Sequence, residues 1–106
     1  MSEAFYPEAL YGANRHVANV AGTPIIVTEN GLSSTDDTRR LEYFQRALRC
    51  VANNLESGID VSGYFCWSAF DNFEWVGGYG PKFGIIAVDR KTQKRTRNPE
   101  RTGWGR

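Results

Sequence analysis

At 106 residues and a net charge of +1, the chain has room for one small domain and no charge excess suited to nucleic acid or an anionic membrane surface. Hydrophobic residues make up 41% and charged residues 24%, an ordinary globular balance. Two cysteines, Cys50 and Cys66, are too few for a disulfide scaffold and lack metal-ligand spacing, so free thiols are expected. The start, Met1-Ser2-Glu3-Ala4, has neither the basic nor the apolar stretch of a signal peptide. With no apolar run long enough to span a bilayer, no membrane association and a cytoplasmic location are expected. The basic stretch from Arg90 to Arg106 reads as a solvated terminus.

Pro7-Glu8-Ala9-Leu10 has the form of a first helical turn, where proline's missing N–H costs nothing. Leu10, Ala13, Val17 and Val20 predict a helix over about 7–18, ended by Gly22. The β-branched run Pro24-Ile25-Ile26-Val27-Thr28-Glu29-Asn30, stopped by Gly31, predicts a strand buried on both faces with a carboxylate at its C-terminal end. Ser34, Thr35 and Asp36 are all candidate N-caps for a long helix reaching about Ser57, with Gly58 after it. Leu41, Phe44, Leu48, Val51 and Leu55 step by three and four, so they predict its apolar stripe.

A second strand is expected over 61–70, followed by Asp71-Asn72-Phe73-Glu74-Trp75 and a Gly-rich loop, 76–84. Residues 84–89 read as a short strand, and 91–94 as the turn of a hairpin returning near Arg95. Strand, helix, strand predicts a right-handed parallel crossover. Two parallel strands leave open edges, so the piece is expected to need neighbours.

Both strands end in functional side chains, and neighbouring parallel strands would bring Glu29 to one rim with Trp67, Asp71 and Glu74. In a (β/α)8 barrel that rim is where catalysis occurs. Thr28-Glu29-Asn30-Gly31 resembles the nucleophile motif of glycoside hydrolase family 1, the β-glucosidase-like retaining enzymes. Gly63-Tyr64-Phe65-x-Trp67-Ser68-x-x-Asp71-Asn72-Phe73-Glu74-Trp75 resembles that family's sugar-binding segment. Gly78-Tyr79, Lys82-Phe83-Gly84-Ile85, Val88-Asp89, Thr92-Gln93-Lys94-Arg95 and Tyr6-Pro7-Glu8-x-Leu10 continue the pattern over residues 5–97.

The resemblance implies the C-terminal portion of one such enzyme. The expected fold is α/β, a partial TIM (β/α)8 barrel made of the last two barrel strands, their crossover helix and a C-terminal hairpin. Residues 1–106 would form a single unit. It implies that Glu29 is the catalytic nucleophile and that Trp67 lies as a platform under the sugar. Glu74 would accept two sugar hydroxyls, Trp75 would donate its indole N–H, and Phe83 would wall the pocket. Sugars do present apolar C–H faces to aromatic rings and hydroxyls to carboxylates. It implies a β-glucoside or related oligosaccharide as substrate, with no cofactor and no metal.

A retaining glycosidase needs a second carboxyl as acid/base. The family carries it in Asn-Glu-Pro, which this chain lacks; Asn98-Pro99-Glu100 is in the wrong order. The loop from Gly31 to Arg39 is shorter than the family's usual one, and the family's final helix reads as truncated or garbled over Pro99–Arg106. Two other readings therefore stand beside an active enzyme: a sugar-binding remnant, and a piece that assembles with other barrel segments or with itself. The bland assignments are a structural carboxylate for Glu29 and core packing for the aromatics, which is expected for Phe70 and Phe73. His16 reads as a surface residue, Asp71 as a structural group, and Cys66 as packed against a helix on the face opposite Trp67.

Overall fold

A computed structural model describes residues 5–97. The elements are α1 (Ala9–Ala21), β1 (Ile25–Asn30), α2 (Asp37–Glu56), β2 (Val61–Cys66), a short 3-10 turn (Trp75–Gly77), β3 (Ile86–Val88) and β4 (Arg95–Arg97). The readings on Asn98-Pro99-Glu100, on Pro99–Arg106 and on the start of the chain lie outside the described residues.

Helix α1 begins two residues after Pro7, and Gly22 closes it in the left-handed region at φ 64°. Of the three candidate caps for α2, Asp36 is the one used: its carboxylate accepts the Thr38 and Arg39 N–H groups. That satisfies two donors that a helix start leaves without partners. Gly58 turns left-handed at φ 84°, just after the cap residue Ser57.

The crossover is parallel. Ile25 pairs with Val61, Ile26 with Gly63, Val27 with Tyr64 and Asn30 with Cys66. From Val27 to Asn30 is three steps on β1, against two on β2 from Tyr64 to Cys66, so β1 bulges at Thr28-Glu29. Strands β3 and β4 form the expected antiparallel hairpin, Ala87 opposite Thr96.

Several expectations need correction. The second strand stops at Cys66 rather than at Phe70; the Trp67–Ser68 peptide bond is cis, and the chain then runs beside residues 83–86, with Phe70 bridging to Ile86. Strand β1 is not buried on both faces: Ile26 is 55% exposed, because two strands alone put no layer over that side. On α2 the buried line is Arg40, Phe44, Ala47, Cys50 and Asn54, whereas Leu48 and Leu55 lie exposed on the flank.

Polar contacts as well as apolar ones hold the helices together. Asn14 on α1 donates its side-chain amide to the Asn54 carbonyl oxygen at 2.9 Å, and Asn54 donates to the Tyr11 carbonyl at 3.2 Å, both side chains being buried. Arg46 bonds Glu8 through both arms of its fork, with Nε at 2.8 Å, and this holds the Glu8 carboxyl below its usual range. Cys50 is buried between the helices, where burial pushes its thiol up and its Sγ donates to the Pro7 carbonyl. Cys66 is a half-buried free thiol, and His16 is exposed. Phe70 and Phe73 are not core. They are 43% and 55% exposed, with Arg95 over the first ring and Tyr79 edge-on to the second.

Candidate active site

The ends of β1 and β2 are joined by a close backbone approach. The Trp67 N–H donates to the Asn30 carbonyl at 2.7 Å. Gly31 comes next, and a β-carbon there would fall 1.8 Å from the Trp67 carbonyl oxygen. Only glycine lets the two strand ends meet this closely, so it brings residue 29 into the neighbourhood of residue 67.

The loop after β2 is folded back by its own backbone. The Glu74 N–H donates to Gly78 O at 2.7 Å and the Gly77 N–H to Glu74 O at 2.9 Å, with Trp75 at a positive φ of 45°. This turn stands Glu74 and Trp75 beside the strand ends. Behind it, the ring of Tyr79 meets Phe73 edge-on at 5.4 Å, and the Arg90 guanidinium lies 4.8 Å from the Tyr79 centroid.

Phe83 is gripped through its backbone and its neighbours. Its carbonyl accepts the Ser68 N–H at 3.1 Å. On one side, the Lys82 carbonyl accepts from Ser34 N–H at 2.9 Å and from Arg40 Nη2 at 2.6 Å. On the other, the buried Asp71 carboxylate accepts the Gly84 N–H at 3.0 Å and the Val88 N–H at 3.4 Å. Arg40 is itself buried, and it also bonds the Ser34 carbonyl and the Asp37 carboxylate. One guanidinium thus ties the loop after Glu29 to the loop that carries Phe83. Charge-assisted bonds of this kind are short and directional.

Glu29, Trp67, Glu74, Trp75 and Phe83, with Asn30 and Gly31, line one cleft of about 320 Å³. All five residues singled out in the sequence come together there. The cleft is open: Trp75 is 80% exposed and Trp67 36%. Two carboxylates and two indoles on one concave surface can accept hydroxyl protons and cover an apolar ring face. Among the described residues, no three His, Cys, Asp or Glu side chains gather into a group that could hold a metal ion. None of the described helices is long and apolar enough to cross a membrane.

Sequence reasoning missed the parts that hold the cleft. Asn30 and Gly31 line it, whereas the sequence marks them as a strand end and the tail of a motif. Arg40 is not among the residues of the predicted apolar stripe, and a solvated charge is the ordinary assignment for such a position. A long-range bond such as Arg40 to Lys82, 42 residues apart, leaves no periodic trace in a sequence.

A family model described as glycosyl hydrolase family 1 matches residues 1–104. The chain is 40% identical over 105 residues to a bifunctional β-D-glucosidase/β-D-fucosidase of Bifidobacterium breve, covering 86% of this chain and 23% of that protein. Among solved structures it is similar to the β-glycosidase from Pyrococcus horikoshii, with a TM-score of 0.89 and 39% identity over 93% of this chain and 23% of the other. It is also similar to an apo β-glucosidase designated 1317, with a TM-score of 0.87 and 52% identity over 90% of this chain and 24% of the other. The chain spans about a quarter or less of the length of these relatives, so the described residues form part of a (β/α)8 barrel. By these matches the chain belongs to glycosyl hydrolase family 1.

Proposed function

We propose that this chain carries the nucleophile side of a retaining β-glycosidase site acting on β-glucosides or related β-linked sugars, and that it forms the last two strands of that barrel. The observation that carries the reading is the single cleft lined by Glu29, Trp67, Glu74, Trp75 and Phe83. A Glu29 carboxylate oxygen attacks the anomeric carbon, the bond to the leaving group breaks, and a glycosyl–enzyme ester forms. Water then hydrolyses the ester. Trp67 is the platform under the ring, Glu74 accepts two hydroxyls, Trp75 donates its indole N–H, and Phe83 closes the wall. The β-glucosidase and β-glycosidase names of the relatives support the substrate class.

The general acid comes from outside these residues, because the chain has no Asn-Glu-Pro and Glu74 is engaged as a sugar ligand. The exposure of Ile26, Phe65 and Trp75, at 55%, 62% and 80%, favours completion of the site by other barrel segments over a remnant that only binds sugar.

The test is intact mass after incubation with a dinitrophenyl 2-deoxy-2-fluoro-β-glucoside, whose leaving group departs as the phenolate and needs no acid. An adduct mapping to Glu29 and lost in Glu29→Gln is expected. A folded chain that takes up no label does not hold a competent nucleophile site by itself.

A further inference from the structure

We infer that Asn30 is a positioning residue: clamped between Tyr43 of α2 and Tyr64 of β2, it anchors the β1 bulge that aims Glu29 and fixes the distance to Trp67. The inference rests on Glu29 being the nucleophile, and it adds residues that touch no substrate in that reading. Four observations meet at Asn30. Its side-chain carbonyl accepts the Tyr64 hydroxyl at 2.7 Å, and its amide donates to the Tyr43 hydroxyl at 3.2 Å. Its backbone carbonyl accepts the Trp67 N–H at 2.7 Å. It is also the first residue to rejoin the ladder, opposite Cys66, after Thr28 and Glu29 have bulged out of it.

A bulge re-aims the side chains it contains, and it keeps that aim only if the residue beyond it is held. Asn30 is held from both layers: Tyr64 lies on the neighbouring strand and Tyr43 on the helix that covers it. Tyr43 is in turn wedged edge-on between Phe5 and Phe44, with centroids at 5.9 and 5.8 Å. Burial, with smaller contributions from Cys66 and Tyr43, pushes the Tyr64 phenol well above its usual range, so it stays protonated as a donor. An attacking carboxylate misplaced by a fraction of an ångström loses rate steeply, whereas sugar affinity depends on Trp67, Glu74 and Trp75 together.

The test is a double-mutant cycle of Asn30→Ala and Tyr64→Phe on the full chain, with Tyr11→Phe as control, a half-buried tyrosine of α1 whose hydroxyl meets Ser57 away from the cleft. The first readout involves no sugar: the fluorine resonance of fluorotryptophan at position 67. Each single variant is expected to shift it, Tyr64→Phe is expected to add nothing once Asn30 is gone, and Tyr11→Phe is expected to leave it in place. A resonance unmoved by Asn30→Ala, or shifts that simply add, overturns the proposal. The second readout is labelling by the fluoroglucoside, split into affinity and rate. Here the rate constant falls roughly tenfold or more while affinity holds within about twofold. Lost affinity at an unchanged rate also overturns the proposal. Should the wild-type chain fold but take no label, it holds no competent nucleophile site by itself, and the Trp67 resonance alone decides whether Asn30 anchors the strand ends.

Discussion

Gly31 stands so close to Trp67 that a β-carbon on it would lie 1.8 Å from the Trp67 carbonyl oxygen and 3.3 Å from the Trp67 β-carbon. The neighbour to be displaced is backbone, which cannot swing aside as a long side chain can. Gly31→Ala is therefore expected to push the ends of β1 and β2 apart, breaking the bond from Trp67 N–H to Asn30 O. The cost is about 1–3 kcal/mol, as for other overpacked sites. A urea midpoint unchanged from wild type would count against so tight a contact.

Arg40 is expected to be the most costly side chain to remove from the loops around the cleft. Arg40→Met takes away the donor to the Ser34 and Lys82 carbonyls and a partner of the Asp37 carboxylate. Breaking a buried charged cluster from one side costs about 3–5 kcal/mol. Hydrogen exchange should quicken at Ser34, whose N–H bonds Lys82 O, and along the 82–84 strap before it does in the helices. Exchange that rises evenly through the chain would assign Arg40 to global stability instead.

The two helices should register against each other through Asn14 and Asn54. Asn54→Ala leaves the Asn14 amide without its partner in a buried setting and removes a second, part-buried bond to the Tyr11 carbonyl. Such a loss costs about 1–3 kcal/mol. Since both residues share one bond, the double variant Asn14→Ala, Asn54→Ala should cost less than the two singles added together. Equilibrium unfolding of the three variants measures this, and strict additivity would contradict the pairing.

Acid should weaken the strap between Glu8 and Arg46. The bond from Arg46 lowers the folded-state pKa of Glu8 below its unfolded value. Its contribution to stability is therefore complete above the unfolded carboxylate pKa and disappears as pH falls through the folded one. The difference in melting temperature between wild type and Glu8→Gln should be largest near neutral pH and close toward strong acid. Both side chains are partly exposed, so the difference should be small and should shrink in high salt. A gap that widens on acidification would reverse the sign and refute the assignment.

Much of this protein was legible in its residues. The apolar run closed by Gly31 marked β1, Asp36 was among the candidate caps of α2, and Gly22 ended α1, because each is a local choice of backbone conformation made by nearby side chains. The motif around Glu29 and that around Trp67 and Glu74 were readable for the same reason, as short strings at the ends of predicted strands. The tertiary structure decided what depends on contacts distant in sequence. The strand ends met through Gly31 and Trp67, and β2 stopped at Cys66 as the chain turned to run beside residues 83–86. The buried line of α2 moved to Arg40, Phe44, Ala47, Cys50 and Asn54, since burial depends on which neighbour a face meets and not on its hydrophobicity alone. Asn30 acquired its anchors from Tyr43 and Tyr64, residues 13 and 34 positions away, and no pattern within one strand encodes a bond that only the folded chain can close.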